Sequence, residues 1–337
     1  MQRYKTIDAY VAGEAVRLLV EGAPTVKGRT MDDKLAWLRK HGEPMRKALM
    51  LEPRGHAGMH GALFTEPVLP KAHAGLLFMN AGGFPLVSGE AVMAAVTIAI
   101  EQNIIHVDSD ELYIDTPAGV LTARPHRFEG NRVGGVALTG LPGFVQSAAL
   151  QIRLGSRTVP VDVAFGGEFF AIADSEAVGI PVDVDHAPEL IRAGARLKEA
   201  VDAALRVSHP NLCAMHGVIF TAPAQKGGHV RSATVLEGGV LHRSPGFTAT
   251  VAVMAVLEAM GILDEKYDFI NEGMLGTMLI GSVLKRQHVN DMPIIVPLID
   301  SPVSITGYHE FVVDGDEHFC FKIYPRALPL KSRRQSD

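Results

Sequence analysis

Only two cysteines, Cys213 and Cys320, occur among the 337 residues, in separate regions of the chain. Two such residues build neither a disulfide framework nor a cysteine-rich zinc site. Long apolar runs are scarce as well, and the longest, Ala91 to Ile100, is far too short for the roughly 20 residues that span a bilayer. The opening Met-Gln-Arg-Tyr-Lys-Thr-Ile-Asp lacks the apolar core of a secretion signal, so a cytoplasmic protein with no membrane partner is expected. No sign of charge dominates: the formal net charge is −5 with both signs interspersed, and only the tail Lys331-Ser-Arg-Arg is basic, which argues against nucleic acid as a partner. No glycine cluster has the spacing of a phosphate loop or a dinucleotide fingerprint. What the chain does have is 47% hydrophobic residues, ample for the core of one large domain or two ordinary ones.

Two stretches echo each other. Residues 82 to 94 read Gly-Gly-Phe-Pro-Leu-Val-Ser-Gly-Glu-Ala-Val-Met-Ala, and residues 238 to 255 also run a glycine pair, four residues, a serine and a small-residue helix. The chain therefore reads as a duplicated half-domain. Ser88 and Ser244 are expected to cap the two helices, with Pro245 at the first helical position, where no hydrogen bond is lost. Two helix N-termini facing each other would form a dry cleft, binding a carboxylate from both sides through unpaired amides and helix dipoles.

Strands are expected at Tyr4 to Tyr10, Val16 to Val20, Gly61 to Leu69, Gly75 to Met79, Leu112 to Asp115 and Val120 to Ala123, with helices at Met31 to His41 and Ser88 to Gln102. The second half repeats the plan with strands at Val133 to Leu138, Gln151 to Leu154, Thr158 to Ala164, Phe169 to Ala173, Gly217 to Thr221 and Val230 to Leu236. Its helices are Ala187 to Val207 and Pro245 to Met260. Strands Val303 to Tyr308, His309 to Val313 and His318 to Tyr324 are expected to return to the first lobe. The Leu141 to Phe144 turn and the loop Asn290 to Pro297 are the expected crossings, dividing the chain into residues 1–127 plus 298–337 and residues 128–297.

Glu90 stands in the first turn of the first helix. Its place is first that of a well-capped helix, and it is also a candidate proton carrier, since a carboxylate in a closed apolar cleft is pushed towards the titration range useful for proton transfer. His242 lies just before the second cap, in His-Arg-Ser-Pro. His56 and His60 have the three-residue spacing of a helical metal pair, but Gly55 and Gly58 break a helix there and no metal is expected. Gly166 and Gly167, before Glu168, suggest a bulge or tight turn.

From about residue 6 to 325 the chain resembles the proline racemase superfamily, which includes hydroxyproline epimerases and trans-3-hydroxyproline dehydratases. Ile7-Asp-Ala-Tyr-Val-Ala-Gly-Glu14, Met50-Leu-Glu-Pro-Arg-Gly-His56, Asp115-Thr-Pro-Ala-Gly119, Asp162-Val-Ala-Phe-Gly-Gly167 and Ile305-Thr-Gly-Tyr-His-Glu-Phe311 carry the likeness. It implies an α+β fold of two similar lobes of the diaminopimelate-epimerase type, each a sheet around a central helix with the active site between. It also implies chemistry without a cofactor, a small imino or amino acid as the ligand, and a monomer or homodimer. Family racemases use two cysteines at the helix N-termini, one on each face of the substrate. Here Val87-Ser-Gly-Glu90 stands for Met-Cys-Gly-His, and His242-Arg-Ser-Pro-Gly-Phe-Thr-Ala-Thr250 stands for Asp-Arg-Ser-Pro-Cys-Gly-Thr-Gly-Thr. Ser88 and Gly246 thus replace both thiols, Phe247 replaces a glycine, and Glu168 an asparagine.

Glycine can be neither acid nor base, so paired racemisation is disfavoured, whereas elimination of water can be served from one face. The expectation is a dehydratase with Ser88 and Glu90 as acid/base. The amides of Gly89, Glu90, Phe247 and Thr248 would cradle the carboxylate beside Gly246, and His242 would meet the ring nitrogen or leaving hydroxyl, pairing with Glu90 from the opposite lobe. A one-base isomerase or epimerase and a non-catalytic imino-acid binder remain the alternatives.

Overall fold

The computed structural model describes residues 1–105, 109–207, 214–264, 267–290 and 292–314. Cys213, Cys320, the strand expected at His318 to Tyr324 and the basic tail lie outside them.

The first half runs β1 (Gln2–Val11), β2 (Glu14–Glu21), α1 (Met31–His41), α2 (Glu43–Met50), β3 (His60–Thr65), β4 (Ala74–Asn80), α3 (Gly89–Glu101), β5 (Leu112–Thr116) and β6 (Gly119–Arg127). The second runs β7 (Val133–Thr139), β8 (Gly143–Leu154), β9 (Arg157–Phe165), β10 (Phe169–Asp174), α4 (Ser175–Val178), α5 (Ala187–Ala204), β11 (Gly217–Pro223), β12 (Val230–Leu236), α6 (Phe247–Ala259), β13 (Phe269–Gly273), β14 (Met278–Val289) and β15 (Met292–Val313).

The duplication read in the sequence is a repeat of strand directions. β2 pairs parallel with β3 and β4 parallel with β5; correspondingly β10 pairs parallel with β11 and β12 parallel with β13. α3 is the crossover from β4 to β5 and α6 that from β12 to β13. One continuous sheet closes twice through β15, whose first part pairs with β14, β7 and β8 and whose last part pairs with β1. Each closure encircles one helix.

That placement explains the composition of the two central helices. A helix wrapped on all sides by sheet must be apolar all round, and every residue from Gly89 to Ile100 is buried. α3 and α6 share one hydrophobic core with the inner faces of the sheet's two closures. The outer faces are covered separately, by α1 and α2 in the first half and by α4 and α5 in the second. α1 begins at Thr30, whose Oγ1 accepts the Asp33 amide at 3.0 Å while Asp33 Oδ2 accepts the Thr30 amide at 3.1 Å, a reciprocal cap.

Several boundaries differ from the sequence reading. Val303 to Tyr308 and His309 to Val313 are one strand with 292–302, because β15 changes partners without breaking, and the expected loop at Asn290 to Pro297 is strand from Met292 onward. β8 starts at Gly143 rather than Gln151; its partners β9 and β15 hold a segment whose exposed polar residues hide the strand pattern. α2, β13 and β14 had no clear local signal, and the strand expected at Gly61 to Leu69 runs from His60 and ends at Thr65. Among the described residues no helix is long and apolar enough to cross a membrane.

Candidate active site

The start of α3 is held by the first half's outer helices. Asn80 Oδ1 accepts the amides of Gly82 and Gly83 at 2.9 Å each, Arg46 donates to the carbonyls of Asn80 and Ala81, and Arg39 donates to the Phe84 carbonyl at 3.0 Å. The loop so ordered delivers Ser88 as N-cap, its Oγ accepting the Ala91 amide at 3.3 Å. The same Oγ lies 3.0 Å from Nδ1 of His60, the first residue of β3.

The start of α6 is built differently. His242 donates its amide to the Thr234 carbonyl at 2.9 Å, which lays the 241–246 segment back along β12. The helix begins two residues later than expected. Gly246, at φ +84°, is the N-cap; Ser244 lies two residues before it and accepts the Gly246 amide at 2.8 Å, and Pro245 is outside the helix. Only a residue without Cβ takes such a φ freely.

The two N-termini do face each other, as expected, but the space between them is filled from within. Glu90 Oε1 accepts the Phe247 amide at 2.7 Å and lies 3.4 Å from Ser244 Oγ. The Phe247 ring lies against Gly89, where any side chain would overlap it. Phe247 and Glu90 are 1% and 3% exposed. The amide expected to cradle a substrate carboxylate is therefore occupied by a carboxylate of the protein itself, which a helix N-terminus stabilises as it would a ligand's. Thr248 packs instead against the Gly166–Gly167 turn.

A third contact joins the halves. Glu14 Oε1, at the start of β2, accepts the amides of Arg243 at 2.6 Å and Ser244 at 3.0 Å. Gly13 permits this approach: a Cβ there would lie 3.0 Å from the Arg243 carbonyl. The other carboxylate oxygen, Oε2, is 3.9 Å from Nε2 of His60. The rings of His60 and His242 meet edge to face with centroids 5.3 Å apart. One ligand atom each from Glu14, His60 and His242 lie within 4.8 Å of one another. His56, which shares with His60 the spacing noted in the sequence, is not in this group.

Beside this cluster opens a cleft of about 630 Å³ between the halves, walled by Arg39, His60 and Phe84 on one side and by Glu168, His216 and His242 on the other. Of the residues singled out as the binding site, only His242 lines it; Ser88 reaches it through His60. Burial, then the neighbouring His60, push the His242 imidazole down to about 4, with Glu90 opposing; burial, His242 and His60 do the same to His216. Both rings are neutral at pH 7. Burial pushes the Glu168 carboxyl up to about 7, partly countered by Arg39. His60, His216 and Arg39 were not read as site residues. Arg39 and His216 carry no local motif, and His60 was visible only through its spacing from His56.

A family profile described as proline racemase matches residues 6–320. The chain is 35% identical over 317 residues to a trans-3-hydroxy-L-proline dehydratase of Bacillus cereus, covering 92% of this chain and 95% of that protein. It is 31% identical over 320 residues to the proline racemase of Clostridioides difficile, covering 93% and 95%. Among solved structures, a hydroxyproline epimerase from Agrobacterium vitis with bound trans-4-hydroxy-L-proline superposes with a TM-score of 0.84 at 26% identity, covering 92% of each chain. These neighbours share the two-lobed α+β architecture.

Proposed function

This chain belongs to the proline racemase family, and from that premise we propose that it is an enzyme removing the α-proton of a proline-like imino acid from one face only, a dehydratase of the trans-3-hydroxyproline type. The observation that carries the reading is the asymmetry of the two helix starts. α3 presents Ser88 bonded to His60, whereas α6 presents Gly246, which has no side chain to move a proton.

One face is enough for this reaction. In a trans-3-hydroxyproline the α-hydrogen and the 3-hydroxyl lie on the same side of the ring. His60, facing the cleft with Nδ1 held by Ser88, takes the α-proton on Nε2 and returns it to the departing hydroxyl. The C–H and C–O bonds break, a carbon–carbon double bond forms, water leaves, and the enamine acid tautomerises to a cyclic imine. Two-sided inversion would need a second acid/base that Gly246 cannot be. Ser88 keeps its place in the acid/base group as the partner of His60, and Glu90 serves the second helix rather than the substrate. With the Phe247 amide taken, Arg39 at the cleft wall is the cation for the substrate carboxylate, and Glu168 and His242 are the groups for the ring nitrogen.

The test is incubation with trans-3-hydroxy-L-proline in D₂O, followed by NMR. Formation of the cyclic imine acid supports the reading, as does its loss in His60→Gln. Exchange of α-protons with inversion, or binding of prolines with neither exchange nor elimination, would overturn it in favour of an isomerase or a binder.

A further inference from the structure

We propose that Glu14, His60 and His242 form a site for one divalent transition-metal ion, bound by two imidazoles and a carboxylate across the two halves of the molecule. Zinc and iron(II) are the ions such a donor set suits. The three donors come from the start of β2, the start of β3 and the segment before α6, and lie within 4.8 Å of one another. Bonds of about 2.0–2.2 Å to one ion require them to close by roughly an ångström.

The surroundings of each donor are those of a metal ligand. A ligating imidazole characteristically gives its second N–H to an acceptor that fixes its tautomer; Ser88 Oγ stands 3.0 Å from His60 Nδ1, leaving Nε2 as the donor facing Glu14. The Glu14 carboxylate is oriented in the same way, with Oε1 holding the Arg243 and Ser244 amides and Oε2 turned to His60. Among the described residues His242 Nδ1 is buried without a hydrogen-bond partner, and Gly246 leaves room beside it, since a Cβ there would lie 3.3 Å away. Charge points the same way. Glu14 and Glu90 are both buried, and among the described residues the hydrogen-bond donors to them are amides and a hydroxyl, none with a full charge; a buried group of this sign favours a cation. His60 and His242 line the cleft, so an ion there would be reachable and would keep a coordination position open.

The consequence for activity rests on the proposed function. The Nε2 lone pair of His60 cannot hold an ion and take a proton together, so a filled site would stop α-proton removal.

Full-length protein stripped with EDTA would be titrated with zinc chloride in a calorimeter. Expected are one equivalent bound by the wild type, a rise in its thermal midpoint, affinity about 10–100-fold lower in Ser88→Ala, and loss of that event in His60→Asn and His242→Asn. Melting curves without metal establish that the variants fold. Independently of any variant, zinc should protect His60 and His242 of the wild type from diethyl pyrocarbonate, read by peptide mass spectrometry. No one-to-one zinc event, or one unchanged in folded histidine variants, or no protection, overturns the proposal. Imino-acid turnover by the stripped enzyme is a separate readout. Zinc binding without any turnover discards the reaction and keeps the ion, and turnover without zinc binding does the reverse.

Discussion

Glu90 Oε1 accepts the amide of Phe247 at 2.7 Å, so a side chain in the first turn of one central helix caps the first turn of the other. This contact helps to join the two halves at their centre and occupies the Phe247 amide at the start of the second helix. A buried hydrogen bond to a charged group is worth about 1.5–3 kcal/mol. Glu90→Ala should therefore lower stability by about 2–3 kcal/mol, seen as a lower urea midpoint with an unchanged slope. Glu90→Gln, which keeps an acceptor oxygen, should lose less. Equal losses in the two would mean that an acceptor oxygen at this position is not what matters.

Gly89 and Phe247 are matched in size. A methyl on Gly89 would overlap the ring, and Gly89→Ala should cost about 1–3 kcal/mol as overpacking. Phe247→Ala should cost about 3–5 kcal/mol as a cavity. The double variant should be more stable than the sum of the two losses predicts, since each change relieves the other; strict additivity in denaturant melts would argue that the ring and Gly89 do not press on one another.

Ser88 combines two duties, helix cap and partner of His60. Ser88→Ala should cost about 1 kcal/mol of stability and slow turnover, whereas Ser88→Thr, which keeps the hydroxyl, should restore most of both. His60→Gln should reduce kcat by about 10²–10⁴-fold with a smaller effect on KM. Turnover in Ser88→Ala equal to wild type would restrict Ser88 to the cap.

The pH dependence of stability has a predictable sign at Glu168. Its carboxyl is pushed up to about 7 in the folded chain from an ordinary value of 4.5, so the folded state holds the extra proton between those values. Stability should fall as pH rises from about 4.5 to 7, by an amount on the order of 3 kcal/mol from this one group. Glu168→Gln should flatten that slope in urea melts repeated across the range. A variant with the same slope as the wild type would place the titrating group elsewhere.

Much of this architecture was legible along the chain. α1 was bounded by Thr30, by acids in its first turn and by its apolar spacing, and the observed Met31–His41 is the helix read. β12, Val230–Leu236, likewise matches its run of β-branched residues. The repeat of glycine pair, serine and small-residue helix disclosed the duplication, because the two helices must be apolar all round to sit inside sheets. These are short-range signals: a cap, a period or a breaker acts within one turn of the residue that carries it. The site was legible only in part. Ser88 is a cap as read, but Ser244 is not, because a glycine at positive φ and a carboxylate from the other half together start α6 later than local preference would. Glu14, His60 and His242 are separated by tens to hundreds of residues, and what brings them together is the register of β2 on β3 and the return of the chain along β12. The sequence alone determined which helices would be swallowed by sheet and that Gly246, at the start of the second, has no side chain to move a proton; which carboxylate fills the helix end, and which imidazoles meet beside it, was decided by strand pairing, since side-chain period marks a strand's faces but not the partner or register it takes.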